Sequence, residues 1–220
     1  MKIFVLSLKN ETGKKRRKRL NYEHEIIWGT DKLEYVPSYI KDKITIPYNV
    51  KDKEKLIRQK SCHIYSYLNI LKKIIDDNLY NVIICEDDAI LKHHNENLFI
   101  DLQNKNLDEP VLLNGKLHHP DTYKKDNIFN KYEIKFNNGI NDIDYNSFRW
   151  SCSACIYYPT PQSCKYIYNY IINTSRLTYF DLQLSKNKII KKLYYPSIFI
   201  IDDEGVSQIC NSKGTIDNYI

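Results

Sequence analysis

The chain has 220 residues, 42% hydrophobic and 27% charged, an ordinary globular composition with room for one domain, 1–220, and a sizeable core. Its net charge of +6 comes largely from one run, Gly13–Leu20, and no second basic stripe interleaved with aromatics supports a nucleic-acid groove. The apolar run Ile3–Leu8 is too short for a signal-peptide core or a membrane span.

Ile3–Leu8 is rich in branched apolar residues and reads as a buried first strand. Lys9–Gly13 reads as a polar turn, and Lys14–Leu20 favours a short helix whose basic side chains face solvent. His24–Thr30 reads as a second strand ending at Gly29, and residues 31–50, with two prolines and little periodicity, as a long functional loop. From Asp52, a fitting N-cap, Ile57, Ile64, Leu68, Leu71 and Ile75 repeat at helical spacing until Asp77-Asn78. Tyr80–Cys85 is the next strand, and such alternation predicts an α/β fold with a mixed, mostly parallel sheet flanked by helices.

Val111–Leu113 is a short strand that runs into a loop with His118, His119 and Asp121. Residues 121–148 are polar and weakly periodic, and "SACIYYPTPQSCKYIYNYII" reads as strand, turn and helix. Thr160 caps that helix, Pro161 suits its first position, and Cys164, Ile167, Tyr168 and Ile171 share a face. "KLYYPSIFIID" is a last strand. Cys62 and Cys85 fall inside apolar elements, and the C-x-x-C of Cys152 and Cys155 lacks a second pair to complete a zinc site. The six cysteines are therefore read as free thiols of a reduced, cytoplasmic protein.

The chemistry concentrates in "NVIICEDDAI", where a buried strand ends in Glu86, Asp87 and Asp88. Three adjacent carboxylates repel one another, and burying one unpaired costs several kcal/mol. A solvated acidic turn is one reading; a phosphatase pair is another, but the D-x-D-x-T run is missing. The third is Mg²⁺ or Mn²⁺ held between carboxylates and the diphosphate of a nucleotide-sugar. Ligands in open α/β sheets sit beyond strand carboxyl ends, which is where these acids lie.

Four blocks in order support the third reading: "IFVLSLKNETGKKRRKRL", "RQKSCHIYSYLNILKKIIDDNLYNVIICEDDAI", "VLLNG" and "WSCSACIYYPTPQSCKYIY". Together with "YYPSIFIIDD" they resemble glycosyltransferase family 25, the lipopolysaccharide and collagen galactosyltransferase-like enzymes of GT-A fold. Where that family carries Gly-Cys-x-x-Ser-His, Cys62 fits but Tyr65-Ser66 does not, and His63 reads as an exposed helix histidine.

The resemblance implies a metal-dependent, inverting sugar transfer from a nucleotide-sugar, with UDP as the nucleotide, to a glycan or glycoconjugate hydroxyl. By it, Asp88 is the metal ligand, Glu86 stands at the metal side holding the ribose or an outer-shell water, and Asp87 assists the donor sugar. Ser7, Leu8 and Asn10 would lie under the nucleotide, and Arg16, with Arg17 and Arg19, would face the diphosphate. Asp181 is the candidate base, with Asp142 and Asp144 as rivals. His118 and His119 are read as surface residues, with a metal or acceptor contact as the alternative. The tyrosine-rich segments around Tyr35, Tyr123 and Tyr179 offer stacking faces for sugars. For the Lys14–Arg19 run, an anionic membrane or glycan surface is the functional alternative. The competing overall reading is a catalytically idle relative or a nucleic-acid binder, whose affinity would fall steeply with salt and ignore Mn²⁺.

Overall fold

The computed structural model describes residues 1–92, 96–118, 134–151 and 155–201. His119, Asp121, Tyr123, Cys152, Cys210 and the tail from Asp202 lie outside them.

The first half of the chain builds one edge of a seven-stranded sheet. Strand β1 (Lys2–Ser7) leads into α1 (Glu11–Arg17) and β2 (Glu25–Trp28), which pairs with β1 in parallel. Helix α2 (Ser38–Lys41) and the 24-residue α3 (Lys53–Asp76) then carry the chain over the sheet. Asp52 caps α3 as its composition requires, accepting from the Lys55 amide at 2.9 Å. Strand β3 (Val82–Glu86) returns in parallel on the opposite side of β1 from β2. The direction of winding therefore reverses between β1 and β3, and such a switch point opens a crevice at the strand ends. Leu6 and Glu86 are register partners at that end.

The acids are followed by β4 (Ala89–Leu91) and α4 (Glu96–Asn104). Strands β5 (Val111–Leu112), β6 (Lys116–His118), β7 (Gly139–Asp142), β8 (Arg149–Ser151) and β9 (Cys155–Tyr158) follow. After α5 (Pro161–Asn173) and α6 (Phe180–Lys186) come β10 (Lys192–Tyr195) and β11 (Phe199–Ile201). The main sheet runs β2-β1-β3-β9-β5-β10-β7, and two ribbons, β11-β4 and β6-β8, stand beside it. β9 is antiparallel to both neighbours and β7 is antiparallel to β10, so the sheet is mixed, with parallel pairing at β2-β1-β3 and β5-β10.

Strand alternation divides the core between two faces. Phe4, Val82, Ile84, Ile156 and Tyr158 pack under α3, α5 and α6, whereas Val5, Ile83, Cys85, Cys155 and Tyr157 face the side closed by Leu102 of α4 and by the β11-β4 ribbon. Cys62, Cys85, Cys155 and Cys164 are buried free thiols, with the Cys85 and Cys155 sulfurs 2.9 Å apart across β3-β9. Thr160 and Ser163 form a capping box at α5 with Pro161 in its first turn, as the sequence predicts. Residues 31–50 are more ordered than a long loop. They hold a 3₁₀ turn at Leu33–Tyr35 and α2, pinned by buried Val36 and Ile40 and by an Ile44–Leu177 bridge. Among the described residues, no helix is long and apolar enough to cross a membrane.

Candidate active site

At the switch point the chain turns from strand to helix within three residues. The Asn10 side chain accepts from the Gly13 amide at 2.8 Å, so α1 begins at Glu11 where a polar turn was expected. Gly13 permits the tight approach, because a Cβ there would stand 2.4 Å from the Leu8 carbonyl oxygen. Arg17 folds back beneath the strand exit, donating to Ser7 Oγ at 2.6 Å and to the Leu8 carbonyl at 2.9 Å, with its guanidinium 4.7 Å from the Trp28 ring centre. Ser7 in turn donates to Asp87 Oδ2 at 2.6 Å.

The three acids are each answered by named side chains. Arg16 Nη1 lies 3.1 Å from Asp87 Oδ1 and 3.2 Å from Asp88 Oδ2, with all three side chains nearly buried. Glu86 belongs to the other side of the pleat and turns toward α3, where His63 Nε2 lies 3.0 Å from Oε1 and the Tyr67 hydroxyl donates to the same oxygen at 2.9 Å. Tyr67 is stacked on Phe180 of α6, ring centres 4.0 Å apart, and the Phe180 amide donates to His63 Nδ1 at 3.3 Å.

Electrostatics differ across the cluster. Burial pushes the Glu86 pKa up, but the bond and charge of His63 and the bond from Tyr67 outweigh it and hold Glu86 below the ordinary carboxylate value. Asp88 goes the other way. Burial and the charge of Glu86, helped by Asp87, overcome the pull of Arg16 and raise it to about 7. Burial opposes the charge on His63, yet Glu86, with Asp181 and Asp88 adding, raises its pKa. Arg16 is likewise raised, because Asp88 and Asp87 outweigh its desolvation.

These residues line a cleft of about 400 Å³, within the usual range for small-molecule sites. Of the positions expected at the nucleotide and metal side, Ser7, Leu8, Asn10, Arg16, Glu86, Asp87 and Asp88 belong to its wall, whereas Arg17 and Arg19 do not. The far wall is α3, which adds Lys55, Arg58, Gln59, Cys62 and His63, and the segment after β2 adds Thr30 and Asp31.

Several expectations change. His63 is not an exposed helix histidine, since its side chain is 11% exposed and bonded at both nitrogens. A signal for this was present: His63 and Tyr67 are four residues apart and extend the apolar stripe of α3. The basic run is not a uniformly solvated face, because Arg16 is buried while Lys14, Lys15 and Lys18 are exposed. Arg16 and Arg17 are engaged with protein oxygens, which leaves Lys55 and Arg58 as the cations of the cleft that make no ion pair among the described residues.

Asp181 sits in the first turn of α6, close enough for its charge to act on His63 and Tyr67, although it is not part of the cleft wall. Asp142 and Asp144 are elsewhere. Asp142 pairs with Lys192 on β7, four strands from β3 and thus roughly 19 Å away. The Asp144 side chain accepts from the Asn146 amide and the Ser147 hydroxyl in a turn, which lowers its pKa. His118 ends β6 opposite Arg149, away from the main sheet.

As a test of a metal, no group of three or more His, Cys, Asp or Glu side chains converges to hold an ion among the described residues. Asp88 Oδ1, however, is buried without a hydrogen-bond partner among the described residues, and Asp88 belongs to the cleft wall. The donor set fits a hard cation that takes one or two carboxylates and completes its shell with phosphate oxygens and water.

Fold and cleft together define an α/β protein with a cleft at the β1/β3 switch point, a carboxylate cluster on one wall and, on the other, Lys55 and Arg58, which make no ion pair among the described residues. A family model described as glycosyltransferase family 25 (LPS biosynthesis protein) matches residues 1–191, and the chain belongs to that family. It is accordingly a sugar transferase of GT-A type, and the family implies a nucleotide-sugar donor. No curated protein matches the sequence.

Proposed function

We propose that this enzyme transfers a sugar from a UDP-sugar to a hydroxyl of a glycan or glycoconjugate, with inversion and with Mn²⁺ or Mg²⁺. The observation that carries the reading is the convergence of Ser7, Leu8, Asn10, Arg16 and Glu86–Asp88 on one cleft, with no partner for Asp88 Oδ1 among the described residues. Asp88 would ligate the metal through that oxygen, and Glu86 would hold the ribose or a metal-bound water. When bound, the metal would neutralise charge that grows on the leaving diphosphate.

The chain's own residues supply the rest. Lys55 and Arg58, one turn apart on α3, face the diphosphate from the opposite wall in the role first expected of Arg16. Arg16 acts instead as an internal counter-ion that keeps Asp87 and Asp88 side by side. Asp181 takes the proton of the attacking hydroxyl, which in an inverting transfer must be removed as the new bond forms. The location of Asp142 on β7, four strands from β3, and the use of Asp144 in its own turn support Asp181 over them for that role.

Thermal shift with UDP-, GDP- and CMP-sugars, with and without Mn²⁺, tests the proposal. A ligand at about 100 times its Kd adds roughly 2.7 kcal/mol of stability. Stabilisation by the UDP-sugar that EDTA abolishes is the expected result. Equal stabilisation in EDTA refutes the metal role, and no stabilisation by any nucleotide-sugar refutes the donor site.

A further inference from the structure

His63 is a buried imidazole that serves two elements at once. The Phe180 amide can only donate, so its 3.3 Å contact fits the neutral form of the ring, in which Nδ1 accepts and Nε2 carries the proton donated to Glu86 Oε1 at 3.0 Å. Both contacts matter to their recipients. Helix α6 is only seven residues long and its N-cap, Tyr179, makes no side-chain capping bond, so His63 supplies from α3 an acceptor that the helix start lacks. On the other side, His63 and Tyr67 both donate to Oε1 of Glu86, which leaves Oε2 as the oxygen without a protein partner among the described residues. The ring cannot drift, for it meets Tyr67 edge to face at 5.1 Å, and Tyr67 is itself stacked on Phe180.

We infer that His63 is a positioning residue for sugar transfer: one ring fixes the orientation of Glu86 in the cleft and the placement of the α6 turn that carries Asp181. The inference rests on the donor-cleft reading above, with Glu86 on the donor side and Asp181 on the acceptor side. Helix α3 is the rigid member, and the two nitrogens of His63, held on opposite sides of one planar ring, set the spacing between donor and base. The family's own motif places its histidine three positions further along, where this chain has Ser66, whose hydroxyl is turned back onto the Cys62 carbonyl at 2.7 Å.

Two substitutions separate the two jobs. In His63→Asn the amide oxygen can stand where Nδ1 stood but the side chain is too short to reach Glu86. In His63→Gln the amide nitrogen reaches Glu86 but no acceptor remains for Phe180. The measurements are UDP binding by calorimetry with Mn²⁺, kcat at saturating donor, and hydrogen exchange of the Phe180 amide by NMR. For His63→Gln, UDP affinity should stay within about twofold while Phe180 exchange rises and kcat falls by about tenfold or more. For His63→Asn, Phe180 protection should persist while UDP binds at least about fivefold more weakly.

Parallel losses of binding and turnover in both variants overturn the inference, and so does a Phe180 amide as protected in His63→Gln as in the wild type. If the wild type binds no nucleotide, the donor-cleft reading fails, and the exchange measurement still decides the α6 half. If both histidine variants unfold, Tyr67→Phe takes over, since it removes one donor to Glu86 and keeps the Phe180 stack. UDP affinity unchanged in that variant overturns the donor half.

Discussion

Asp88→Asn should make the ligand-free enzyme more stable at alkaline pH while abolishing its metal-dependent turnover. Asp88 is nearly buried, and burial together with Glu86 and Asp87 raises its pKa from 3.8 to about 7 against the pull of Arg16. A carboxyl whose folded pKa exceeds its unfolded one favours the native state in its protonated form. Its contribution is fully present below the unfolded value and is lost as pH rises through about 7. At about 1.4 kcal/mol per pKa unit, the whole interval corresponds to roughly 4 kcal/mol of destabilisation above it. The amide removes that charge, but it also weakens the bond to Arg16 and buries an N–H where Asp88 Oδ1 has no partner, a cost of about 1–3 kcal/mol. The net expectation is a gain of about 1–3 kcal/mol near pH 8 and a loss of about 1–3 kcal/mol near pH 4, or about 2–4 °C in Tm per kcal/mol. Urea denaturation in EDTA across this range measures the difference. A variant less stable than the wild type near pH 8, or a difference independent of pH, would refute the electrostatic account of the cluster.

The other predictions concern the base and the strand exit. Asp181→Ala should retain metal-dependent UDP-sugar binding by calorimetry while transfer falls about 10²-fold or more. Asp142→Ala and Asp144→Ala should transfer sugar at close to the wild-type rate, and a dead variant of either would move the base to that edge of the sheet. Gly13→Ala should lower stability by about 1–3 kcal/mol and weaken donor binding, because the new methyl presses on Leu8 O, Arg17 and Ser7 together. An unchanged melting temperature and an unchanged UDP affinity would show that the α1 start does not shape the cleft.

Sequence by itself determined the elements whose residues carry their own local signal. β1 and β3 are continuous apolar runs, α3 has a capped stripe, and α5 has Thr160 and Pro161 at its start. From these came the strand ends, and from the family resemblance came Ser7, Leu8, Asn10, Arg16 and Glu86–Asp88, which share one cleft wall. Some short elements, β4 and α6 among them, could not be read in advance. β4 exists because it pairs with β11, the single last strand read over 192–202 divides into β10 and β11, and α6 is held by packing and by His63 rather than by a cap of its own.

Tertiary structure alone decided which charges meet. Arg16 lies 71 residues from Asp87, and His63 lies 23 from Glu86 and 117 from Phe180, so no local pattern could show that one cation locks two acids or that one imidazole joins α3 to α6. The same holds for Lys55 and Arg58, which became cleft residues only because α3 crosses the sheet with its first turns over the exits of β1 and β3. Periodicity and capping are encoded by neighbours in the chain and can be read along it. Ion pairs and buried hydrogen bonds are set by which strand ends the sheet order brings together, and that order is fixed only when the whole core packs.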